Sequence, residues 1–458
     1  MTFTRLTRGV EIGANCYALE LAGQRLVLDS GQNPRTDGRE GQPQFDLLAP
    51  GSVDAIVVSH AHHDHLGSLP VLQRLQPQAR VFLSEATRQL SDIMLHNSVN
   101  VMHRRLEQGA TELPQFTHRE VGVVTKRWQP VPFATRFDLH GERLGPHDEA
   151  PVALEFFDAG HILGSVGVRI RAEGRTIFYT GDVQFDDQTL SRGAVFPDEP
   201  VDVLIIETTR GAVAMEPGWT REGEEQRFAT ALREVFDGGG SVLIPTFALG
   251  KTQEMLALFY KMRLAGLVRE DLPIYLTGLG TKLTEVHDKL AAQTRRHYAN
   301  IRLLHEVEHF MIRQDNIAEQ SLKPRRIYAL SSGMMTEHTL SNVFARRLID
   351  KPEHAVFFVG YCDPLTPGYA LRHSAPGGLV QLDAALPPQP RNCRIERFDF
   401  SGHASRESLR AFANRVRPKK ILLVHGDVEA SVWFQQVLAA DLPDAEVIIP
   451  APGEPIEL

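Results

Sequence analysis

The feature that most constrains this chain is a cluster of metal-binding residue types directly after a short apolar run. His60, His62, Asp64 and His65 fall in the spacing H-x-H-x-D-H, and the run DAIVV occupies residues 54–58. Imidazole nitrogens and carboxylate oxygens are the ligands that zinc prefers when thiolates are absent, and a loop at a strand end can direct alternate side chains toward two ions. The alternative is a histidine-rich surface loop, and the tight spacing after a strand favours the metal site.

Other acidic residues also follow predicted strands. Asp29 follows residues 25–28, Asp182 comes shortly after the strand at 176–179, and Glu207 follows the strand at 203–206. In layered α/β proteins, functional side chains tend to lie where a strand ends and its loop begins. These positions therefore join His60 as candidate site residues.

From about residue 220 the pattern becomes a regular alternation of helix and strand. Phe228, Leu232, Val235 and Phe236 recur at helical spacing, and this predicted helix stops at the glycines of residues 238–240. Predicted strands and helices then follow in turn, which indicates a parallel, doubly wound unit. A stretch rich in proline and glycine at residues 364–390 is typical of a linker.

The composition is that of a globular enzyme. A chain of 458 residues usually divides into two or three domains, and we expect two. We expect neither a signal peptide nor a membrane anchor, because no apolar run approaches the roughly 18 to 20 residues needed to span a bilayer and polar residues interrupt the amino terminus. The three cysteines are far apart, so we expect no disulfide framework and a cytoplasmic location. The net charge of -8 weakly disfavours a protein that coats nucleic acid, although basic clusters occur at residues 323–326 and 415–420.

The run HAHHDH resembles the signature of metallo-β-lactamase-fold hydrolases, and further segments match that family in order. These are RLVLDSG, which contains Asp29, FFDAGHILGS, which contains His161, and IFYTGD, which contains Asp182. The resemblance implies that Asp29 orients ligand histidines from behind. It also implies that His161 is a ligand and that Asp182 bridges two metal ions.

Later segments resemble the β-CASP nucleases of that superfamily. They are DVLIIETT from residue 202, GGSVLIP from 239, FALGKTQE from 247, LSSGMM from 330, FVGY from 358, FSGHA from 400 and LVHGD from 423. The resemblance implies an α/β fold, namely a metallo-β-lactamase αββα sandwich with an inserted doubly wound β-CASP domain. The implied domains are residues 1–209 and 391–458 for the sandwich and 210–390 for the β-CASP domain.

The same resemblance implies a full set of site residues. Two Zn²⁺ per chain would be held by His60, His62 and His161, by Asp64, His65 and His425, and by Asp182 between them. Glu207 and His403 join Asp64 and Asp182 as catalytic residues, with His403 protonating the leaving oxygen. Ser331, Ser332 and Gly333 could bind a substrate phosphate, although a plain turn fits them almost as well.

The implied activity is hydrolysis of RNA phosphodiester bonds by hydroxide activated on two metal ions, in RNA processing or decay. His425 favours single-stranded RNA, since the DNA-directed branch commonly carries an aliphatic residue at this position. The alternatives are a DNA nuclease, a non-catalytic scaffold subunit of an RNA-processing complex, and a hydrolase of small thioesters or lactams. The mode of cleavage, the natural RNA and homodimer formation stay open.

Overall fold

The computed structural model describes residues 1–36, 38–110, 112–269, 271–312 and 321–458, and it forms two compact units. Unit 1 comprises Met1–Asp187, Gly193–Met215 and His403–Leu458, and unit 2 comprises Gln188–Arg192 and Glu216–Gly402. The domain boundaries inferred from the resemblance, after residues 209 and 390, stay a prediction; the compact units change after residues 215 and 402.

Secondary-structure elements are numbered along the whole chain. The strands of unit 1 are β1 (Thr2–Arg5), β2 (Tyr17–Leu21), β3 (Gln24–Leu28), β4 (Ala55–Val57), β5 (Arg80–Leu83), β6 (Gln129–Pro130), β7 (Arg136–Asp138), β8 (Val152–Asp158), β9 (Val166–Ala172), β10 (Arg175–Tyr179), β11 (Val203–Glu207), β20 (Lys420–Val424), β21 (Glu446–Ile448) and β22 (Pro455–Glu457). Its helices are α1 (His63–Leu66), α2 (Leu69–Leu75), α3 (Glu85–Glu107), α4 (His118–Val124), α11 (Arg406–Val416) and α12 (Val428–Asp441), with 3-10 turns at Phe45–Leu47 and Thr125–Arg127.

The strands of unit 2 are β12 (Val242–Pro245), β13 (Ile274–Thr277), β14 (His309–Ile312), β15 (Ile327–Leu330), β16 (Ala355–Phe358), β17 (Leu379–Val380), β18 (Gln389–Pro390) and β19 (Arg394–Arg397). Its helices are α5 (Arg221–Asp237), α6 (Lys251–Leu264), α7 (Gly278–Lys289), α8 (Leu303–Glu306), α9 (Leu340–Leu348) and α10 (Pro367–His373), with a 3-10 turn at Ala291–Gln293.

Unit 1 is a sandwich of two seven-stranded sheets. The first has the strand order β22-β1-β2-β3-β4-β5-β6, and the second has the order β21-β20-β11-β10-β9-β8-β7. Leu26 and Leu28 of the first sheet share one buried apolar cluster with Ile177, Val203 and other residues of the second. The core of the unit therefore lies between the two sheets.

Helices cover the outer faces of this sandwich. Phe178 and Leu204 point away from the inter-sheet core and pack in a second cluster with Phe412 of α11 and Phe434 of α12. On the outer face of the first sheet Val27 is fully buried, so that face is covered as well. Strands covered on both sides read as continuous apolar runs, as β11 does. This arrangement confirms the predicted αββα sandwich.

Unit 2 is built on a six-stranded sheet with the order β14-β13-β15-β12-β16-β19. Every neighbouring pair in it is parallel. Apolar clusters cover both faces: Phe228 of α5 and Phe259 of α6 lie in one, and Phe344 of α9 lies in the other. The predicted doubly wound unit is therefore confirmed.

The strand at residues 394–397 pairs with the sheet of unit 2. The boundary after residue 390 assigns β19 to the sandwich domain, whereas its hydrogen bonds to β16 place it at the edge of the unit 2 sheet. The local residue pattern indicates a strand, but it does not indicate which sheet the strand joins. Among the described residues, no helix combines the length and the apolar character needed to cross a membrane.

Candidate metal centre

Three candidate residues follow adjacent parallel strands of the second sheet of unit 1. Strand β11 pairs in parallel with both β10 and β20, so the carboxyl ends of the three strands lie at one edge. Asp182 follows β10, Glu207 ends β11, and His425 follows β20. A Cβ added to Gly426 would lie 2.1 Å from Thr208 Oγ1, so a side chain at residue 426 would push apart the loop that carries His425.

The H-x-H-x-D-H segment lies at the edge of the first sheet, after β4. Its loop is fixed by backbone hydrogen bonds: Ser30 N donates to His65 O at 2.8 Å, and Asn15 N donates to Asp64 O at 2.8 Å. His62 is extended and precedes the short helix α1, which begins at His63. This change of backbone conformation directs neighbouring side chains of the motif to different places.

The structure brings four of the predicted ligands together in a first group. His62 Nδ1 lies 3.0 Å from His60 Nε2 and 3.1 Å from His161 Nε2. Asp182 Oδ2 lies 3.5 Å from His60 Nε2 and 3.7 Å from His161 Nε2. These four ligand atoms all lie within 4.8 Å of one another.

A second group joins Asp64, His65 and His425, whose ligand atoms also lie within 4.8 Å of one another. Asp64 Oδ2 is 3.2 Å from His425 Nε2 and 3.8 Å from His65 Nε2. The other Asp182 oxygen, Oδ1, is 3.3 Å from His65 Nε2. Asp182 therefore turns one oxygen toward each group.

The donors present fit zinc. A tetrahedral zinc ion with nitrogen and oxygen ligands about 2.0–2.2 Å away separates those ligands by roughly 3.3–3.6 Å. The four separations given above for the first group, 3.0 to 3.7 Å, bracket this range. Asp182 Oδ1 is buried, and within the described part of the chain it accepts no hydrogen bond of good geometry, although His65 Nε2 lies 3.3 Å away. A buried carboxylate oxygen without a donor is costly, and a cation would satisfy it.

The electrostatics of the cluster favour positive charge. Burial lowers the pKa of His60 and of His62, so both rings stay neutral at pH 7 and keep a lone pair for a metal. Burial also opposes protonation of His65, but the carboxylates of Asp182, Asp29 and Asp64 raise its pKa well above the ordinary value. The acidic side chains thus attract a cation into a buried site.

Behind the ligands, Asp29 organises a network that includes residues missed by sequence reasoning. Asp29 Oδ2 accepts from His65 Nδ1 at 2.8 Å, as the resemblance implies for this position. The same oxygen accepts from Ser59 Oγ at 2.8 Å and from Tyr179 Oη at 2.6 Å. Asn15 Nδ2 lies 3.1 Å from His65 Nε2. Ser59 was discoverable from its place directly before the motif, whereas Tyr179 looks like a core residue of β10.

In unit 1 the buried Glu207 forms a pair with the partly exposed His403. His403 Nδ1 lies 3.1 and 3.2 Å from the two carboxylate oxygens of Glu207, and Val183 N donates to Glu207 Oε1 at 2.7 Å. Burial opposes protonation of His403, yet the Glu207 charge and hydrogen bond raise its pKa above the ordinary value. The rings of His403 and His161 are 4.5 Å apart, centroid to centroid, so His403 adjoins the first group.

Ser331, Ser332 and Gly333 follow β15 in unit 2. Ser331 Oγ donates to Thr277 Oγ1 at 3.1 Å, and Ser332 Oγ accepts from Thr336 N at 3.0 Å. Both hydroxyls thus have partners inside the unit. The phosphate-binding role of these three residues stays a prediction.

Comparison with known families assigns three parts of the chain. Residues 9–210 match the metallo-beta-lactamase superfamily, and residues 252–371 match the Beta-Casp domain. Residues 388–450 match a family described as "Zn-dependent metallo-hydrolase RNA specificity domain". The fold and the metal centre of unit 1 thus define a metallo-hydrolase. More narrowly, the chain belongs to the β-CASP family of the metallo-β-lactamase superfamily, as the resemblance predicted.

Similar proteins include "Cleavage and polyadenylation specificity factor 73" of Drosophila melanogaster, which is 28% identical over 92% of this chain and 59% of its own length. "Endoribonuclease YSH1" of Eremothecium gossypii is 27% identical over 91% of this chain and 54% of its own length. The chain thus spans between half and two thirds of these relatives. A solved structure, a protein of unknown function from Enterococcus faecalis V583, has the same fold, with a TM-score of 0.58, 15% sequence identity, and coverage of 100% of this chain and 99% of that one.

Proposed function

We propose that this chain is a ribonuclease that uses two zinc ions to hydrolyse phosphodiester bonds in single-stranded RNA, acting in the cytoplasm in RNA processing or decay. The observation that carries the proposal is the position of Asp182, whose two oxygens face two different groups of ligand atoms. A carboxylate shared in this way supports a two-metal site.

RNA is the proposed substrate for two reasons. The C-terminal match is described as an RNA specificity domain, and the relatives include proteins named endoribonucleases. In addition, a histidine stands at position 425, and it lies within the second group of ligand atoms. A DNA nuclease and a non-catalytic scaffold subunit are the alternative outcomes of the test below.

The residues of the chain would divide the work of the reaction. When bound, the two zinc ions would supply Lewis acidity and would lower the pKa of a bound water molecule to about 7. His60, His62, His161, Asp64, His65, His425 and Asp182 would hold them. Glu207 holds the His403 ring through Nδ1, so a proton on Nε2 can pass to the leaving oxygen. Burial of Glu207 keeps water from competing for this carboxylate.

The decisive experiment compares the protein with its Asp182→Asn variant. We expect about two zinc ions per chain in the parent protein. We also expect cleavage of single-stranded RNA with 5′-phosphate products, and loss of cleavage in Asp182→Asn and after chelation. Asp186→Asn is the matched control, because Asp186 is exposed in the same loop and the charge change is identical.

Each alternative has its own outcome in this experiment. DNA cleavage equal to or faster than that of matched RNA would replace ribonuclease with DNA nuclease. A zinc-loaded protein that cuts neither would be a scaffold. Unchanged cleavage by Asp182→Asn would overturn the proposed mechanism.

A further inference from the structure

Two arginines of unit 2 lie side by side without an acidic partner. Arg372 lies in the last turn of α10 and Arg397 ends β19. Arg397 Nη2 donates to the backbone oxygen of Arg372 at 2.9 Å. Arg372 forms a side-chain hydrogen bond with the Cys362 thiol, and the charges of Arg372 and Arg397 both counteract the rise that burial causes in the pKa of that thiol. Within the described residues, neither guanidinium forms an ion pair with a carboxylate.

Two acidic residues near this pair, Asp363 and Glu396, are already engaged. Asp363 accepts from Leu365 N at 3.0 Å and from Tyr361 Oη at 3.3 Å. Glu396 pairs with Arg394 at 2.9 Å and with Arg227 at 3.3 Å. The arginine pair therefore carries uncompensated positive charge. In keeping with this, burial and the neighbouring Arg372 lower the pKa of Arg397.

The hydrogen-bonding capacity of the pair is largely unused. A guanidinium offers five N–H donors. Arg372 Nε is buried without an acceptor, and Arg372 Nη1 reaches the Gly360 oxygen only at 3.5 Å. Cys362 cannot serve as the missing anion, because burial raises the pKa of its thiol to about 11 and keeps it neutral. The pair therefore has N–H donors available for an anionic ligand.

The pair lies where doubly wound sheets bind ligands, beside the carboxyl ends of neighbouring strands. Gly360 follows β16 and is contacted by Arg372. Cys362 Sγ lies 3.8 Å from the oxygen of Gly333, which follows β15. The arginine pair thus lies next to the loop already predicted to contact a phosphate.

We propose that Arg372 and Arg397 together form a phosphate subsite that holds a backbone phosphate of the nucleic-acid substrate. The planar guanidinium fork matches two phosphate oxygens, which an ammonium group cannot do. This inference rests on the proposed nuclease function and adds a binding contact within unit 2, separate from the residues that would hold zinc.

The test measures binding of single-stranded RNA by fluorescence anisotropy, with Asp182→Asn as a cleavage-silent parent. The Arg372→Gln/Arg397→Gln double variant is expected to raise the Kd roughly tenfold. Because each neutralised phosphate contributes about 0.7 to the slope of log K against log salt for single strands, the slope should fall by about 0.7. Arg372→Lys should keep most of the slope of log K against log salt, because lysine keeps the positive charge. It should still weaken binding, because lysine lacks the planar guanidinium that donates two hydrogen bonds to one phosphate.

Arg233→Gln is the matched control, because Arg233 is exposed on α5 of the same unit and carries the same charge. Circular dichroism melting establishes that each variant is folded. A parent that binds RNA and a double variant with the same Kd and salt slope as Arg233→Gln would overturn the subsite alone. A parent that binds no RNA would overturn both the subsite and the proposed function.

Discussion

Removal of the Tyr179 hydroxyl should weaken zinc binding without touching a ligand. Tyr179 Oη donates to Asp29 Oδ2 at 2.6 Å, and Asp29 in turn accepts from the predicted ligand His65. The side chains of Tyr179 and Asp29 are 2% and 0% exposed, so no bulk water replaces the lost donor. Phenylalanine keeps the ring and its packing, so Tyr179→Phe isolates the hydroxyl.

The magnitude follows from this burial. A hydrogen bond to a charged group contributes about 1.5–3 kcal/mol to stability. Mutation of a group that orients a metal ligand through a hydrogen bond typically lowers metal affinity or activity by about 10- to 100-fold. Asp29 retains its bond from Ser59 Oγ, so we expect about a tenfold loss of zinc affinity, at the lower end of that range.

The assay is competition for zinc against a chromophoric chelator, combined with urea unfolding of the metal-free protein. Tyr328→Phe is the control, because Tyr328 is equally buried in unit 2 and its hydroxyl accepts from Lys323 N. A Tyr179→Phe protein that is less stable but binds zinc as tightly as the parent would show that the hydroxyl only supports the fold. That result would refute the reasoning.

Three further predictions concern stability, metal content and the arginine pair. Burial lowers the pKa of His287 from 6.5 to about 4. As the pH falls below 6.5, this histidine therefore becomes protonated in the unfolded chain while it stays neutral in the folded chain. The free energy of local unfolding of α7 should therefore drop by roughly 3 kcal/mol between pH 6.5 and 4. Hydrogen exchange should show that this free energy depends less on pH in the His287→Gln variant. Gly426→Ala should displace His425 and reduce zinc content to about one per chain by elemental analysis, whereas Gly122→Ala, with open space around it, should keep two. Arg397→Gln alone should not lower the melting temperature, because it relieves repulsion by Arg372; a clear decrease would mean that the guanidinium supports the fold.

Strand ends were readable from the sequence because they depend on local pattern. Apolar runs that stop at Asp29 and Glu207 place those side chains at a sheet edge whatever the surrounding topology. The spacing around His60 was equally local. The resemblance to the β-CASP family then connected these points to His161 and His425, which are isolated in the sequence.

Contacts between the two sheets were not readable in the same way. Tyr179 lies in the apolar run RTIFY and looks like an ordinary core residue, yet its hydroxyl crosses from the second sheet to Asp29 at the end of β3 in the first. Likewise, the pattern at residues 394–397 indicates a strand, but the pairing with β16 depends on the whole sheet. Such contacts depend on tertiary packing, and the local pattern of apolar and polar residues does not predict them.

The same inter-sheet packing connects stability to metal binding in unit 1. His60 and His65 come from the first sheet, whereas Asp182 and His425 come from the second, so neither the group around His60 nor the group around Asp64 is complete until the sheets pack together. A cation that binds only the packed sandwich must stabilise it by RT ln(1 + [L]/Kd). The buried acidic cluster, which is costly in the metal-free chain, then becomes part of what holds the two sheets together. The ligand atoms lie beyond the carboxyl ends of β4, β10 and β20, so this coupling acts at the edge of the apolar core between the sheets.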